Sequence, residues 1–523
     1  MIWLLAFFVA GQDVRLTHRS AIDGTDQPYR VYVPSSYDGS RSFPLVVAMH
    51  GTGGDENTLF DQPTYGTLKP AAEKHGAIVV SPLARGVTEY RGIGEADVFE
   101  VLADVKKRYR VDEDRVYLTG HSMGGTGAAY IALHHPDRFA AAAPLAAAYG
   151  WPWLAENGKH VPMLWIAGEK DAGFYHRGVQ AGVDRMRALG NPVTLETIPG
   201  GGHSAPVQDF DRVFAWLLRH KRVARPAEFV FVADTPRHGD AYGISIREIE
   251  KPGAVARVTG RGADARLDLT LDNVAAIAVR PPGPELALTV NGRRMFRGKV
   301  GAEEEVLVRG GKAVKQPRRV SDPAVYRRTP VSTTSRELGM EGIEPELGNW
   351  IADALRTAAG ADIALFNRQY YRGLPLPAGQ VDVVDLIQAN RPFDQYLVLA
   401  DLKGSDILEI LDANLDPGKA LPMGADRAGA SRQVLVSGMQ YTFRRGAPAG
   451  KRIASSSLDP DRVYKVALEG QVVERETILL AGRFGKLDYR TTGVSFTMAL
   501  YGHAARAGRI EPALEGRVMA VRE

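Results

Sequence analysis

Val116-Tyr117-Leu118-Thr119-Gly120-His121-Ser122-Met123-Gly124-Gly125 decides the reading of this chain. An apolar, β-branched run enters a Gly-x-Ser-x-Gly turn, and Thr126-Gly127-Ala128-Ala129-Tyr130-Ile131-Ala132-Leu133 then reads as a helix. Strand, tight turn and helix in that order form a nucleophile elbow. The turn is so sharp that larger side chains beside the serine would clash, which is the reason for Gly120 and Gly124. The Ser122 hydroxyl is then exposed at the top of a sheet, with Met123 opening the helix. Gly-x-Ser-x-Gly alone is common; the strand before it and the small-residue helix after it give it weight.

A hydroxyl is a weak nucleophile at neutral pH, so a serine needs a base and the base an orienting carboxylate. In this type of sheet the chain order is Ser, then Asp or Glu, then His. Pro162-Met163-Leu164-Trp165-Ile166-Ala167-Gly168 reads as a strand leading to Glu169-Lys170-Asp171. Val193-Thr194-Leu195-Glu196-Thr197-Ile198 is another, leading through three glycines to His203. Both lie past the carboxyl end of a strand, where open α/β sheets place their sites. His203 is the expected general base and Asp171 its expected partner, with Glu169 as competitor.

An oxyanion formed in acyl transfer needs two backbone N–H donors. Met123, after the nucleophile, is expected to supply one. The strand Phe43–Met49 ends in His50-Gly51-Thr52-Gly53-Gly54, and Thr52 is expected to supply the other. The matching residues are His50-Gly51, Glu95-Ala96-Asp97-Val98, Tyr109-Arg110-Val111-Asp112, the run Arg115–Gly125, Asp171 and His203. On them the first 220 or so residues resemble compact bacterial esterases of the α/β-hydrolase superfamily, related to feruloyl esterases and polyhydroxybutyrate depolymerases. The resemblance implies hydrolysis of carboxylic esters through an acyl-serine, on a small-molecule or polysaccharide-linked ester of feruloyl or acetyl type, or on a polyester. It leaves the substrate open, because the superfamily also holds peptidases, thioesterases and lipases.

At 523 residues the chain is too long for one core. A net charge of +4 gives no reason to expect a nucleic-acid partner. The absence of cysteine excludes a disulfide framework, a thiol nucleophile and Cys-based metal sites. No cofactor and no metal is expected. Ile2–Ala10 is continuously apolar, so residues 1–12 read as a signal peptide, although no Lys or Arg precedes the run. The expectation is export to the periplasm or beyond, with no stable membrane span.

The hydrolase segment is expected over 13–222, ending in the helix Asp209–Leu218 and the basic Arg219-His220-Lys221-Arg222. Val98, Val101, Leu102, Val105 and Tyr109 fall at helical spacing and read as core. Residues 226–316 change character, with short alternating strands at 229–232, 242–246, 265–271, 275–279, 286–290 and 294–300. Asn291-Gly292 between the last two is a hairpin signal. A small all-β sandwich is expected there. Residues 309–330 are rich in Arg, Lys and Pro and read as linker, with 317–330 the linker proper.

Residues 331–523 carry a second resemblance. Leu347–Leu355 reads as an amphipathic helix and Asp362–Asn367 as a buried strand. Leu376–Val381, Pro392–Gln395, Leu402–Leu408 and Asp461–Leu468 follow. The order is similar to the C-terminal, nucleotide-binding domain of 5′-nucleotidases, an α/β (α+β) fold. That resemblance implies a nucleotide or nucleoside ligand at Asn367, Arg372 and Phe393, the last stacking on the base. Arg368-Gln369-Tyr370-Tyr371 replace the family's glycines. The family's hydrolysis needs a separate dimetal domain, and neither an Asp-x-His nor a Gly-Asn-His-Glu run is found. The expectation is a serine esterase with a C-terminal binding module. A nucleotide-binding protein and a small-peptide hydrolase are the alternatives.

Overall fold

The computed structural model describes residues 11–86, 88–148, 152–171, 173–263, 265–320, 330–368, 373–389, 396–415, 434–470 and 487–521. The chain divides into two compact units, residues 1–250 with 255–327 and residues 251–254 with 328–523.

The first unit opens with β1 (Gln12–Arg19), β2 (Asp26–Val33), β3 (Phe43–Met49), β4 (Ile78–Pro82), β5 (Val111–His121), β6 (Ala141–Leu145), β7 (Met163–Gly168) and β8 (Val193–Ile198). They form one sheet in the order β1-β2-β4-β3-β5-β6-β7-β8. β1 and β2 pair antiparallel, as do β2 and β4; from β4 to β8 every pairing is parallel. Parallel strands need covered crossovers, so their inner members are apolar on both faces. β3, β4, β6 and β7 are accordingly buried at every position.

The helices of this segment are α1 (Thr58–Asp61), α2 (Leu68–His75), α3 (Ile93–Arg108), α4 (Met123–His134), α5 (Gly173–Ala188) and α6 (Phe210–Leu217). α3 buries the expected Val98, Val101, Leu102 and Val105. α6 is capped by the Asp209 carboxylate, which accepts from the Arg212 N–H at 3.1 Å. Phe210, Val213, Phe214 and Leu217 of α6 share a cluster with Leu68, Ala71 and Ala72 of α2 and with strand residues Tyr117, Leu164 and Ile166. Each large member contributes about 1.5–3 kcal/mol by leaving water. All twelve residues of α4 are buried, and its glycines and alanines let it lie close on the sheet.

Two five-stranded sheets follow in the same unit. One orders Asp240–Ala241, Ile244–Ile249, Val274–Val279, Glu304–Arg309 and Lys312–Pro317. The other orders Arg293–Lys299, Glu285–Val290, Arg266–Asp272, Ala256–Ala263 and Glu228–Ala233. Both feed one apolar cluster, with Ile246, Ile277 and Val306 from the first and Phe231, Val258 and Leu288 from the second. Asn291 and Gly292 both take positive φ, and Val290 pairs with Arg293, so the hairpin falls as expected. Three details differ. Tyr242-Gly243 is a turn rather than a strand start, with φ of 54° and 84°. Residues 256–263 and 304–309 are strands that the sequence reading did not single out. Lys312–Pro317, at the junction of the expected sandwich and linker, is an edge strand on Glu304–Arg309. Its lysines and proline blunt an edge that would otherwise recruit another strand.

In the second unit the main sheet orders Val434–Ser437, Ile363–Asn367, Val463–Glu469, Tyr396–Lys403 and Tyr489–Ser495. α7 (Glu346–Ala359) lays Leu347, Trp350, Ile351 and Leu355 on it, against Phe366, Leu397 and Leu435. Gly360 ends α7 with φ 60°, a left-handed position that favours glycine. The segment expected as Leu402–Leu408 is split: the strand ends at Lys403 and a helix runs Gly404–Asn414. Among the described residues no helix is long and apolar enough to cross a membrane. β1 takes the last residue of the expected leader, Gln12, while residues 1–10 lie outside the described residues.

Candidate active site

Ser122 stands where β5 becomes α4, with φ 56° and ψ −115°. This is a strained conformation for a residue with a Cβ, and strain of that kind is kept where function demands it. The surrounding glycines are required by space. A Cβ on Gly124 would fall 2.1 Å from the Met49 carbonyl oxygen, and one on Gly120 2.5 Å from the Gly124 carbonyl carbon. The Ser122 N–H donates to the Leu145 carbonyl at 2.9 Å, tying the elbow to β6. The Thr126 hydroxyl donates to the Ser122 carbonyl at 3.1 Å and accepts from the Ala148 N–H at 3.0 Å.

The loop after β3 lies directly against the serine: a Cβ on Gly51 would meet the Ser122 Cβ at 3.4 Å. His50 anchors that loop. It is fully buried, its Nε2 is 3.1 Å from the Leu83 carbonyl, and its own carbonyl accepts from the Tyr90 hydroxyl at 3.0 Å. Thr52 follows on the exposed side, and Gly53 turns the chain with φ 80°. Met123 is the first residue of α4, so its N–H is one of the donors that a helix leaves unmatched at its start.

Asp171 and His203 come together. The His203 Nδ1 is 2.8 Å from Asp171 Oδ2, with the Asp171 side chain 3% exposed and the imidazole 37% exposed. A hydrogen on Nδ1, held by a carboxylate, fixes the tautomer with its lone pair on Nε2. Backbone bonds set the two loops against each other: the Glu169 N–H donates to Ile198 at 3.0 Å and the Lys170 N–H to Gly201 at 2.7 Å. Gly168 permits this approach, since a Cβ there would lie 2.3 Å from the Gly202 carbonyl oxygen. Glu169 is occupied elsewhere, accepting from the Gly200 N–H at 2.6 Å. The competition between the two carboxylates is thus decided by loop geometry.

Two further side chains belong to this site and had no assigned role in the sequence. The His121 ring lies 4.8 Å from that of His203, and His121 Nε2 is 2.9 Å from the His203 carbonyl oxygen. The Tyr65 hydroxyl is 2.9 Å from His121 Nδ1. His121 was visible beside Ser122, but nothing in the linear pattern indicates what its two nitrogens meet.

A second histidine–carboxylate group is fully interior. It joins α3, the carboxyl end of α4 and the start of the two-sheet segment. His135 Nε2 is 2.7 Å from Glu95 Oε1, and His238 Nε2 is 3.1 Å from Glu95 Oε2. His238 Nδ1 is 3.3 Å from Asp234 Oδ1, and His134 Nε2 is 3.0 Å from Asp234 Oδ2. Arg237 adds a guanidinium 3.3 Å from Glu95. Burial disfavours charge on each group, and at His238, Glu95 and Asp234 the neighbours overcome it. His238 is pushed up to about 9 by Glu95 and Asp234, and both carboxylates are held well below their usual range. Burial takes His135 the other way, down to about 4. Glu95–His135–His238 and His134–Asp234–His238 have donor spacings that could hold a metal ion, as do His18–Asp97–Glu100. Beside the first of these groups Arg237 already sets a fixed positive charge 3.3 Å from Glu95.

In the second unit Asn367 ends its strand, buried, and its N–H donates to Glu469 Oε2 at 3.1 Å. Glu469 is interior and burial pushes its carboxyl up to about 8. Arg372 and Phe393, the other two residues implied by the nucleotide-binding resemblance, lie outside the described residues.

The sheet order and the elbow together define an α/β-hydrolase region. Residues 98–177 match the family model described as putative esterase, and residues 327–473 that of the 5′-nucleotidase C-terminal domain. The chain thus joins an esterase-family segment to a 5′-nucleotidase C-terminal domain. It is 28% identical over 230 residues to a putative esterase, NocK, of Nocardia uniformis subsp. tsuyamanensis, covering 41% of this chain and 65% of that one. To a feruloyl esterase B of Talaromyces stipitatus it is 26% identical, over 30% of this chain and 45% of the relative. A bifunctional acetylxylan esterase/xylanase of Neocallimastix patriciarum is 31% identical, over 23% of this chain and 18% of its own length. The chain therefore spans less than two thirds of each of these relatives.

Proposed function

We propose that the chain is a serine carboxylic-ester hydrolase. The observation that carries this reading is the closed Asp171–His203 pair, 2.8 Å apart, on loops packed beside the elbow that presents Ser122. In this mechanism the Ser122 oxygen attacks the acyl carbonyl while His203 Nε2 takes the hydroxyl proton. The carbonyl oxygen becomes an oxyanion and accepts from the Met123 and Thr52 N–H groups. The imidazolium, steadied by Asp171, returns the proton to the departing alcohol and leaves an acyl-serine. Water, deprotonated by the same histidine, then releases the acid.

Acetyl and feruloyl esters, free or linked to polysaccharide, or polyesters are the proposed substrates; the names of two relatives favour the first two. The C-terminal domain acts as a binding module, with a nucleotide or nucleoside as candidate ligand, and the two-sheet segment supports the hydrolase. Export is proposed on the apolar run at residues 2–10 and is checked by fractionating cells that express the whole chain.

The deciding experiment is turnover of p-nitrophenyl acetate, methyl ferulate and a dipeptide anilide by wild type and by Ser122→Ala. Loss of ester turnover by at least about 10⁴-fold in the variant is expected. Equal rates would remove the mechanism, and anilide cleavage without ester cleavage would move the reading to a peptidase. Calorimetry with AMP and adenosine tests the C-terminal module; silence for both removes the nucleotide ligand.

A further inference from the structure

The geometry points to Tyr65 and His121 as a positioning relay that holds the backbone of the proposed base, His203, in register with the nucleophile. This inference rests on the serine-hydrolase reading above and adds two residues to it.

His121 has two ring nitrogens and both are engaged. Its Nε2 lies 2.9 Å from the His203 carbonyl oxygen. A carbonyl can only accept, so Nε2 carries the hydrogen and donates. Nδ1 is then an acceptor, and its partner at 2.9 Å, the Tyr65 hydroxyl, must donate. The tautomer is fixed by its two neighbours. Burial keeps it neutral, pushing the His121 imidazolium down, and pushes the Tyr65 phenol up so that it keeps its proton. Both side chains are buried. With its lone pair taken up by Tyr65, His121 has no basic nitrogen to offer Ser122, which leaves base chemistry to His203.

The relay links three segments that are far apart in sequence. Tyr65 closes the 3₁₀ turn Pro63–Tyr65, His121 is the last residue of β5, and His203 follows the Gly200-Gly201-Gly202 run after β8. Glycine has the widest intrinsic backbone freedom, so a run of three ahead of the base relies on bonds from neighbouring segments to hold it. Asp171 restrains the His203 side chain through Nδ1. His121 restrains its main chain and packs its ring at 4.8 Å against the imidazole. Because His121 is covalently joined to Ser122, the nucleophile and the backbone of the base share one fixed point. Neither Tyr65 nor His121 touches the reacting atoms in this scheme, so their loss acts through geometry, which a displacement of about 1 Å can translate into a hundredfold rate loss.

The test uses the full chain with Ser122→Ala, His121→Leu, His121→Gln and Tyr65→Phe, measuring kcat and KM on p-nitrophenyl acetate and the thermal midpoint of each. His121→Leu removes both bonds and is expected to lower kcat about tenfold to a hundredfold with KM nearly unchanged. Glutamine carries an amide N–H and a carbonyl oxygen at matching positions, so His121→Gln restores most of the loss. Tyr65→Phe gives a smaller drop in kcat, and adding it to His121→Leu costs nothing further. Equal loss in the leucine and glutamine variants, a change in KM alone, or an unaltered Tyr65→Phe would overturn the relay. If His121→Leu fails to fold, the nearly isosteric Tyr65→Phe and the glutamine variant still decide. Retained activity in Ser122→Ala would sink the hydrolase reading itself, whereas an inactive Ser122→Ala beside unaffected relay variants sinks the relay alone.

Discussion

His203 and His238 are the same residue type, each paired with a carboxylate, and their surroundings differ sharply. His203 pairs with the Asp171 carboxylate, sits 37% exposed on a glycine-rich loop and packs against His121, the neighbour of Ser122 in the chain. His238 has two carboxylate partners and no exposure to speak of, and joins the hydrolase helices to the two-sheet segment. A base must gain and lose a proton within one turnover, which requires access and a single balancing charge. A histidine clamped between two buried carboxylates keeps its proton to about pH 9 and serves as a cation. In the proposed mechanism one histidine moves a proton while the other holds two carboxylates together, and the difference lies in solvent access.

Asp171→Asn attacks that contrast hardest. An amide in place of the carboxylate favours the wrong tautomer, and ester turnover is expected to fall by about 10⁴-fold with a much smaller change in unfolding midpoint. His238→Leu should do the reverse. Leaving Glu95 and Asp234 buried without their shared cation costs about 3–5 kcal/mol in urea unfolding, while kcat per folded molecule stays near wild type. A large loss of kcat in a fully folded His238→Leu would erase the distinction between the two sites.

The pH dependence sharpens it further. His238 has a folded-state value of about 9, above the 6.5 of an unperturbed histidine. Its stabilisation is therefore complete below pH 6.5 and is lost as pH rises through 9. Wild type should show falling stability over that window, and His238→Leu should lack this component. The smallest expected effect is Glu169→Gln. This exposed carboxylate only caps the Gly200 N–H, so about 1 kcal/mol of stability and less than a tenfold change in kcat are expected. A loss comparable to that of Asp171→Asn would mean that the two carboxylates had been assigned the wrong way round.

Much of the site was legible because its chemistry follows chain order and strand ends. Ser122, Asp171 and His203 each sit at or just past the carboxyl end of a parallel strand, and the glycines around them record the close approaches that the backbone makes. Tyr65 and His121 were not legible as a pair, since 56 positions separate them and neither carries a local pattern. The strand Lys312–Pro317 was hard to see for a related reason: charged, proline-bearing composition suits an exposed edge strand as well as a tether. In the C-terminal domain the strand ending at Asn367 was visible as an apolar run. Glu469 was not, because an acidic residue ending a strand looks solvated until its burial is known.

By itself the sequence determined the elbow, the placing of Ser122, Asp171 and His203 at successive strand ends, and the division into a parallel-sheet segment, an all-β segment and a second α/β segment. These are set by local sterics and hydrophobic periodicity, which act over a few residues. Only the tertiary structure decided which carboxylate meets His203, what His121 holds, and that His134, His135 and His238 lie in a closed charge network. Those outcomes depend on burial and on distances between residues remote in the chain, and both arise only once the sheet has brought them together.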